Sequence, residues 1–321
     1  MNRFLAAIVD PFLLALLATV GLAALFPAMG HAAGIVDIVA DIAIALLFFF
    51  HGAKLSRDAI LAGMGHWRLH LTVLASTFVL FPLLGLAAGL LPASLLPPVI
   101  ATGILYLCLL PSTVQSSIAF VSIAGGNVPA SICSASASNL LGIFITPLLV
   151  GLFMNTGGPA GISLAALEAI ILQLLVPFIA GHLARPLIGR FVQKHKQTIS
   201  YTDRGSILLV VYSAFSAAVV EGLWHKVAPS DLLVISAASI ILLAIILGTT
   251  ALVGRWLGFT LADRIVLVFC GSKKSLVSGV PMAGVLFPVA QVGLIILPLM
   301  IFHQIQLVVC TWLASRYRQS A

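Results

Sequence analysis

The stretch Phe269-Cys-Gly-Ser-Lys-Lys-Ser-Leu-Val-Ser-Gly-Val-Pro281 places two adjacent lysines, Lys273 and Lys274, inside an otherwise apolar segment. No Asp or Glu follows Asp263, so no acidic side chain later in the chain can pair with them. An ammonium at bilayer depth costs ~2.5 to 17 kcal/mol, so such residues usually face a cavity and serve a pathway. A glycine and a proline flank the pair, and a broken membrane helix carrying unpaired charge is typical of the centre of a secondary transporter.

A second interpretation places the two lysines in a cytoplasmic loop, where they would act as a short positive anchor. The flanking residues 265–270 and 276–286 are apolar, and together they have the length of one membrane span. We therefore favour a single interrupted span with the lysines at its centre.

The composition indicates an integral membrane protein. Of the 321 residues, 61% are hydrophobic and 8% are charged, whereas a soluble domain carries about 25% charged residues. The apolar runs are long and continuous, which favours helices over the short alternating strands of a β-barrel. We predict an all-α protein with ten spans, at residues 10–28, 34–52, 69–91, 97–123, 128–153, 162–184, 205–222, 231–254, 262–286 and 289–313. A signal peptide near the start would instead leave nine.

The charge distribution predicts that both termini are cytoplasmic. If the amino terminus is inside, Lys226 is the only lysine or arginine that falls in an outer loop. Positively charged residues are typical of cytoplasmic loops. We therefore expect a multi-pass protein of the inner (plasma) membrane. The basic residues follow one membrane face without an aromatic patch, so the expected partner is the lipid bilayer and no nucleic acid. The inner basic residues are Arg3, Lys54, Arg57, Arg68, Arg185, Arg190, Lys194, Lys196, Arg204, Arg255, Arg264, Arg316 and Arg318.

The ten spans divide into two sets of five, residues 1–153 and 162–321, joined by a turn-rich segment at 154–161. An odd number of spans per half inverts the second half relative to the first. The fourth span of each half is interrupted, near Pro111–Thr113 and near Gly271–Lys274. Interruptions at corresponding places point to a binding site, so we predict that both spans lose regular helix there and meet.

Polar side chains gather around these breaks. Lone Ser and Thr residues often bond back to their own helix, whereas the amides of Gln115 and Asn139 need other partners. We therefore favour a polar cavity. For His303, a structural histidine and a proton carrier are both open. No spacing indicates a metal site, and no cofactor is expected. The candidate binding residues are Thr77, Ser112, Thr113, Gln115, Ser116, Ser117, Ser131, Ser134, Asn139, Lys273, Lys274, Ser275 and His303.

Four motifs, taken in order, resemble the bile acid:sodium symporter family (solute carrier family 10), and most closely the branch typified by its member 7 and by bacterial relatives. They are Leu110-Pro-Ser-Thr-Val-Gln-Ser-Ser117, Gly126-Asn-Val-Pro-Ala-Ser131, Ile145-Thr-Pro-Leu-Leu149 and Phe269-Cys-Gly-Ser-Lys-Lys-Ser275. The resemblance covers nearly the whole chain, and it rests on the order and spacing of the motifs within the ten-span frame.

The resemblance implies a ten-helix fold of two inverted repeats. Spans 1, 2, 6 and 7 would form a panel domain, and spans 3–5 and 8–10 a core domain. Spans 4 and 9 would be unwound and would cross at mid-membrane. Movement of the core against the panel would give alternating access to a small organic anion. We also expect a more uniformly apolar layer in the panel than in the core.

The resemblance also makes sodium coupling doubtful. The family's sodium-binding Glu corresponds to Phe269 and a Gln to Lys273. Only Ser117 and Ser131 match serine ligands, and they are the weak sodium candidates. We hypothesise that at least one lysine, with Lys274 favoured, replaces the bound sodium and attracts the anion.

The leading prediction is therefore a secondary transporter and not an enzyme. The alternatives are an ordinary sodium:organic anion symporter, a membrane enzyme with a lysine nucleophile, and a regulator or scaffold that does not transport. The sequence leaves the substrate, the coupling ion and the oligomeric state open.

Overall fold

The computed structural model describes residues 11–54, 64–154, 171–222 and 228–320, and the regular elements within these ranges are all helices. A short 3₁₀ turn, Met64–His66, precedes α3. The helices are α1 (Pro11–Leu25), α2 (His31–Lys54), α3 (Trp67–Gly89), α4 (Pro98–Leu109), α5 (Gln115–Ile123), α6 (Val128–Phe153), α7 (Ile171–Lys194), α8 (Lys196–Val220), α9 (Pro229–Trp256), α10 (Leu261–Gly271), α11 (Leu276–Leu286) and α12 (Val289–Ser320).

Eight segments of the described chain are long and apolar enough to cross a membrane, so the chain is a multi-pass membrane protein. They are α2, α3, α6, α7, α8, α9, α12 and the continuous stretch Leu261–Leu286 formed by α10 and α11. Predicted spans one and four contain shorter apolar helices, Leu14–Leu25 and Pro98–Leu109, and the ten-span count stays a prediction. The boundary at 155–161, with Arg3, Arg57 and Lys226, lies outside the described residues.

The starts of α6 and α10 are fixed to one another by capping residues. Asn127 caps α6, where its side-chain oxygen accepts the N–H of Ala130 at 3.1 Å. Thr260 caps α10 in the same way, accepting the N–H of Asp263 at 3.2 Å. The amide of Asn127 also donates to the Asp263 carboxylate at 2.9 Å. Each cap satisfies an amide that the first helical turn leaves unpaired, and the amide–carboxylate bond joins the two helix starts.

Helices α1, α2, α7 and α8 pack on one another and form a first group. The backbones of α2 and α7 touch where a methyl group on Gly52 would overlap the carbonyl oxygen of Phe178. Glycine at such a crossing lets two membrane helices approach closely. An ion pair joins α2 to α8 between Lys54 and the buried Asp203. Both residues lie just beyond the predicted spans 34–52 and 205–222, so the expectation of a more uniformly apolar layer stays a prediction.

Helices α3 to α6 and α9 to α12 form a second group, which also packs closely through glycines. A methyl group on Gly142 would lie 2.5 Å from the ring of Pro111. On Gly279 it would lie 2.5 Å from the side chain of Leu110. The first group meets the second mainly through α8, which packs against α11 and α12. The interior of the second group holds both interrupted spans.

Candidate functional site

The two predicted helix interruptions are confirmed, and they contact each other. One span breaks between α4 and α5, and the other between α10 and α11. Pro111 offers no N–H and disfavours helical geometry at Leu110, which is extended. Across the two breaks, the N–H of Ser275 donates to the carbonyl of Pro111 at 2.9 Å. The hydroxyl of Ser112 donates to the carbonyl of Cys270 at 2.6 Å. The backbone freed by each break is therefore satisfied partly by the other.

The break after α4 changes the hydrogen bonds of the backbone on both sides of it. Groups that would pair within a continuous helix find partners on other elements or are left for another donor. The N–H of Ser112 donates to the hydroxyl of Ser138 at 3.0 Å, whereas in a continuous helix it would donate to Cys108. The hydroxyl of Thr146 donates to the carbonyl of Leu109 at 2.8 Å. Two carbonyl groups beside these, those of Cys108 and Leu110, are thus left for another donor.

A π-helical turn at Ser76–Leu80 frees a third carbonyl group, on α3. The N–H of Phe81 donates to Ser76, although it would donate to Thr77 in a regular α-helix. The next residue, Pro82, has no N–H. The carbonyl of Thr77 therefore lacks a donor within its own helix and is available to a side chain.

The ammonium of Lys274 takes all three carbonyl groups. Its N–H groups donate to the oxygens of Thr77, Cys108 and Leu110, at 2.9, 2.8 and 2.6 Å. The nitrogen also lies 4.0 Å from the centroid of the Phe81 ring, and the residue is fully buried. A positive charge is stabilised at the carboxyl end of a helix, here α4. The lysine thereby joins α3, α4 and the break in the ninth predicted span.

The non-helical backbone of Lys274 is held by Gln306 on α12. The amide oxygen of Gln306 accepts the N–H of Lys274 at 3.0 Å, and its amide nitrogen donates to the Lys274 carbonyl at 3.0 Å. That nitrogen also lies 2.8 Å from a ring nitrogen of His303. One fully buried side chain therefore supplies both partners that an interrupted helix denies this residue.

Lys273 is equally buried, but its surroundings are aromatic. Its nitrogen lies 3.9 Å from the centroid of the Phe120 ring. Among the described residues it has no hydrogen-bond partner. Phe120 stacks in turn on Phe269, with the ring centroids 5.8 Å apart. The ammonium of Lys273 thus lies on the electron-rich face of an aromatic ring, a favourable cation–π arrangement.

Several predicted site residues form a chain of hydroxyl groups between α5 and α10. The hydroxyl of Ser116 donates to that of Thr113 at 2.9 Å. The hydroxyls of Thr113 and Ser117 lie 3.0 Å apart, and Ser117 donates to the carbonyl of Phe269 at 3.2 Å. These groups stabilise the contact between the two broken spans.

Two more predicted residues join α6 to α11. The hydroxyl of Ser278 donates to the amide oxygen of Asn139 at 2.7 Å. Ser275 caps α11, since its hydroxyl accepts the N–H of Ser278 at 3.1 Å. The amide of Asn139 therefore finds a partner on another helix, as the sequence indicated.

The remaining predicted residues bond elsewhere. Gln115 is exposed at the start of α5. Ser131 donates to the carbonyl of Val128 on its own helix at 2.7 Å. The hydroxyl of Ser134 lies 2.7 Å from a ring nitrogen of His70. The hydroxyl of Thr77 donates to its own helix at 2.9 Å, although its carbonyl binds Lys274.

Sequence reasoning missed four residues that define the site: Phe81, Phe120, Ser138 and Gln306. Pro82 within an apolar span was a usable signal, because a proline in the interior of a helix removes one backbone hydrogen bond and leaves a carbonyl group without its donor. Gln306 was another, since it lies one helical turn after His303. Nothing in the sequence distinguished the two phenylalanines from core residues.

A small cavity of about 70 Å³ lies between the two helix groups. Asp37 and Asp41 of α2 line it together with residues of α8, α11 and α12. The hydroxyl of Ser213 on α8 donates to Asp37. Carboxylates are therefore the charged groups that line this cavity.

Comparison with known proteins identifies the family to which this chain belongs. A model of the SBF-like CPA transporter family matches residues 10–319. The "Putative symporter YfeH" of Escherichia coli (strain K12) is 57% identical over 312 residues, which cover 97% of this chain and 94% of that protein. The "Uncharacterized protein PA2026" of Pseudomonas aeruginosa is 58% identical over 308 residues, covering 96% and 92%.

A more distant relative has a name that describes it as a transporter. The "Sodium/bile acid cotransporter 7" of Rattus norvegicus is 26% identical over 321 residues, covering 96% of this chain and 94% of that protein. The resemblance drawn from the four motifs is thereby confirmed. The chain belongs to the SBF-like CPA transporter family.

Proposed function

We propose that this chain is a secondary transporter of a small organic anion in which the ammonium of Lys274 takes the place of a coupling sodium ion. The observation that carries the proposal is the set of three backbone carbonyl groups around the Lys274 nitrogen. In secondary transporters, carbonyl groups freed at broken helices coordinate the sodium ion. Here a side chain of the protein itself occupies such a set.

The donor set for a free sodium ion fits poorly. The hydroxyls of Ser117 and Ser131 donate to backbone carbonyl groups and keep only their lone pairs for a cation, so they would supply just two oxygen ligands. Phe269, at the position of the family's Glu, offers no oxygen in its side chain. A cation about 4 Å from a lysine ammonium would be repelled by roughly 4 kcal/mol at an effective dielectric constant of about 20. The chain therefore has a fixed internal cation where relatives named as sodium cotransporters would need a mobile one.

The motion that we propose is a displacement of the second helix group, as a core, against the first, as a panel. Packing within each group and the contact through α8 support this division. Glycines lie at part of the surface between them: a methyl on Gly293 of α12 would lie 3.2 Å from Ala218, and one on Gly284 of α11 would lie 3.4 Å from Val210. Contacts through glycine leave few side chains to interlock, which favours sliding. Ten spans in two inverted repeats complete the proposed architecture.

We propose that the ammonium of Lys273 supplies the positive charge that attracts the anionic substrate. All three N–H groups of Lys274 already have acceptors, whereas the Lys273 ammonium has none among the described residues. The amino ends of α5 and α11 lie at the breaks and add partial positive charge. Asp37 and Asp41 at the cavity between the groups would repel a polyanion, so we expect a substrate with one negative charge or a zwitterion.

The test begins with a search for the substrate in a sodium-free choline buffer. Carboxylates, sulfates and zwitterions are screened for thermal stabilisation of the purified protein. The best ligand is then followed into proteoliposomes with and without an inward sodium gradient. Saturable uptake that is equal in both conditions supports the proposal. Uptake that requires the sodium gradient contradicts the role of Lys274, and a screen in which no ligand stabilises the protein contradicts a transport function.

A further inference from the structure

A cavity of about 200 Å³ lies where α3 and α10 begin, away from the two helix breaks. His66, Trp67 and Arg68 line it from the start of α3, and Phe259 and Asp263 line it from the start of α10. A single water molecule needs only about 10–15 Å³ of such volume. The cavity is therefore large enough for a polyatomic group.

The cavity lies beside the first residue of an apolar helix, and we infer that this helix enters the membrane there. Trp67 is the first residue of the 23-residue apolar helix α3, and its side chain is 63% exposed. Trp256, the last residue of α9, is 93% exposed. Tryptophan is enriched at the depth of the lipid headgroups, where its ring contacts both apolar and polar surroundings. The two indoles thus indicate that a headgroup can reach the cavity.

Arg68 gives the cavity an available positive charge. Its guanidinium carbon lies 6.0 Å from the centroid of the Phe259 ring, and within the described chain it forms no ion pair. A guanidinium presents several N–H groups in a planar fork that suits phosphate. The carboxylate of Asp263 is already used, because one oxygen accepts from Asn127 and the other from Thr260, both at 2.9 Å. Asp263 keeps its charge but forms no ion pair with Arg68 in the described chain, so the guanidinium is the lining group that can bind an anion.

We propose that this cavity binds the phosphate of an anionic phospholipid, with the guanidinium of Arg68 as its main ligand. Trp67 and Phe259 supply the apolar surface for the glycerol and the first carbons of the acyl chains. Basic side chains between membrane helices are known to bind anionic headgroups, and Arg68 is the lining residue that carries a fixed positive charge. Both lining segments belong to the second helix group, so the bound lipid holds that group at one membrane surface. The inference is independent of the transported substrate.

The experiment measures the binding of phosphatidylglycerol to the full-length protein in detergent by native mass spectrometry, with phosphatidylcholine as the reference lipid. We expect Arg68→Ala to weaken the binding of phosphatidylglycerol about fivefold, because one arginine near the surface contributes ~1 kcal/mol. Arg68→Lys should retain part of the binding. Arg255→Ala is the matched control, since Arg255 is exposed at the end of α9 and does not line the cavity.

Each outcome of this experiment either supports or overturns the proposed lipid site at Arg68. Selective loss in Arg68→Ala, with unchanged thermal stability in phosphatidylcholine, supports the site. Equal weakening in Arg255→Ala shows diffuse attraction to the basic membrane face and overturns the site. If inorganic phosphate displaces phosphatidylglycerol at similar concentration, the cavity binds free phosphate and the lipid assignment is wrong. Should Arg68→Ala fail to fold, the fall in affinity of Arg68→Lys relative to the wild type decides in the same way.

Discussion

Lys273 and Lys274 are neighbours with the same charge and the same complete burial, yet they occupy opposite environments. Lys274 donates to three backbone carbonyl groups and is enclosed by α3 and α4. Lys273 lies on the ring of Phe120 and has no acceptor among the described residues. A buried ammonium with every donor satisfied stabilises the elements that it joins, whereas one without acceptors keeps most of its desolvation penalty. This contrast is the basis for the proposal that Lys274 carries a mainly structural charge and that Lys273 supplies the charge for the substrate.

The largest effect is expected from Lys274→Met. The change leaves three buried carbonyl groups without a donor, and these belong to the backbone, so no side-chain change can remove them. Each unsatisfied group costs ~1–3 kcal/mol, so the free energy of unfolding should fall by roughly 3 kcal/mol or more. Thermal unfolding in detergent measures this, and anion binding should be lost as well.

Lys274→Arg is the control for this variant, because it keeps the charge and several donors in a larger side chain. It should retain part of the stability and some anion binding. If Lys274→Met unfolds at the temperature of the wild type, the three carbonyl contacts do not stabilise the protein and the contrast between the lysines fails.

A smaller effect is expected from Gln306→Leu, which removes the amide that pairs with both backbone groups of Lys274. Two buried polar groups lose their partners, so we expect a loss of about 2 kcal/mol in the free energy of unfolding. Chemical denaturation in detergent can measure it. Gln291→Leu is the matched control, because Gln291 lies on the same helix and is exposed. Equal stability of the two variants would mean that water replaces the Gln306 amide.

The smallest effects on stability are expected at Lys273. Lys273→Met should leave stability unchanged or raise it, since replacing a poorly paired buried charge by an apolar side chain is often neutral or favourable. Phe120→Leu should destabilise the wild type more than the Lys273→Met background. The coupling between the two changes should be about 1–2 kcal/mol, the size of a desolvated cation–π contact. The four proteins of this double-mutant cycle are compared by thermal unfolding. If the two changes in stability are additive, the Phe120 ring does not stabilise the Lys273 ammonium.

Much of the architecture could be predicted because the membrane restricts it. The apolar runs around residues 34–52, 69–91, 128–153 and 231–254 contain long helices, since a lipid environment requires internally bonded backbone. The two breaks were also predictable, because Pro111 and the glycine–lysine segment after Cys270 conflict with a continuous apolar helix. The long helices and the two breaks depend on single residues or on continuous apolar runs, and both can be read directly from the sequence.

The partners across the site could not be predicted in the same way. The sequence marked both lysines but gave no basis for distinguishing them, because their difference depends on a π-helical turn at Ser76–Leu80 and on which carbonyl groups it frees. Gln115 was expected in a polar cavity and is exposed, since its position relative to the break sets its direction. Ser138 was not among the predicted binding residues, yet its hydroxyl accepts the N–H of Ser112. Such contacts join residues far apart in the chain.

The most direct test of the account is the sodium dependence of the wild type and of Lys274→Ala. Thermal unfolding of both is recorded in sodium chloride and in choline chloride at equal concentration. We predict that the wild type unfolds at the same temperature in both salts, because its carbonyl groups already hold an ammonium. Lys274→Ala should be stabilised by sodium, since the shorter side chain exposes the carbonyl oxygens to a cation. Stabilisation of the wild type by sodium, or a tenfold loss of anion affinity in choline, would contradict the claim that Lys274 replaces the ion.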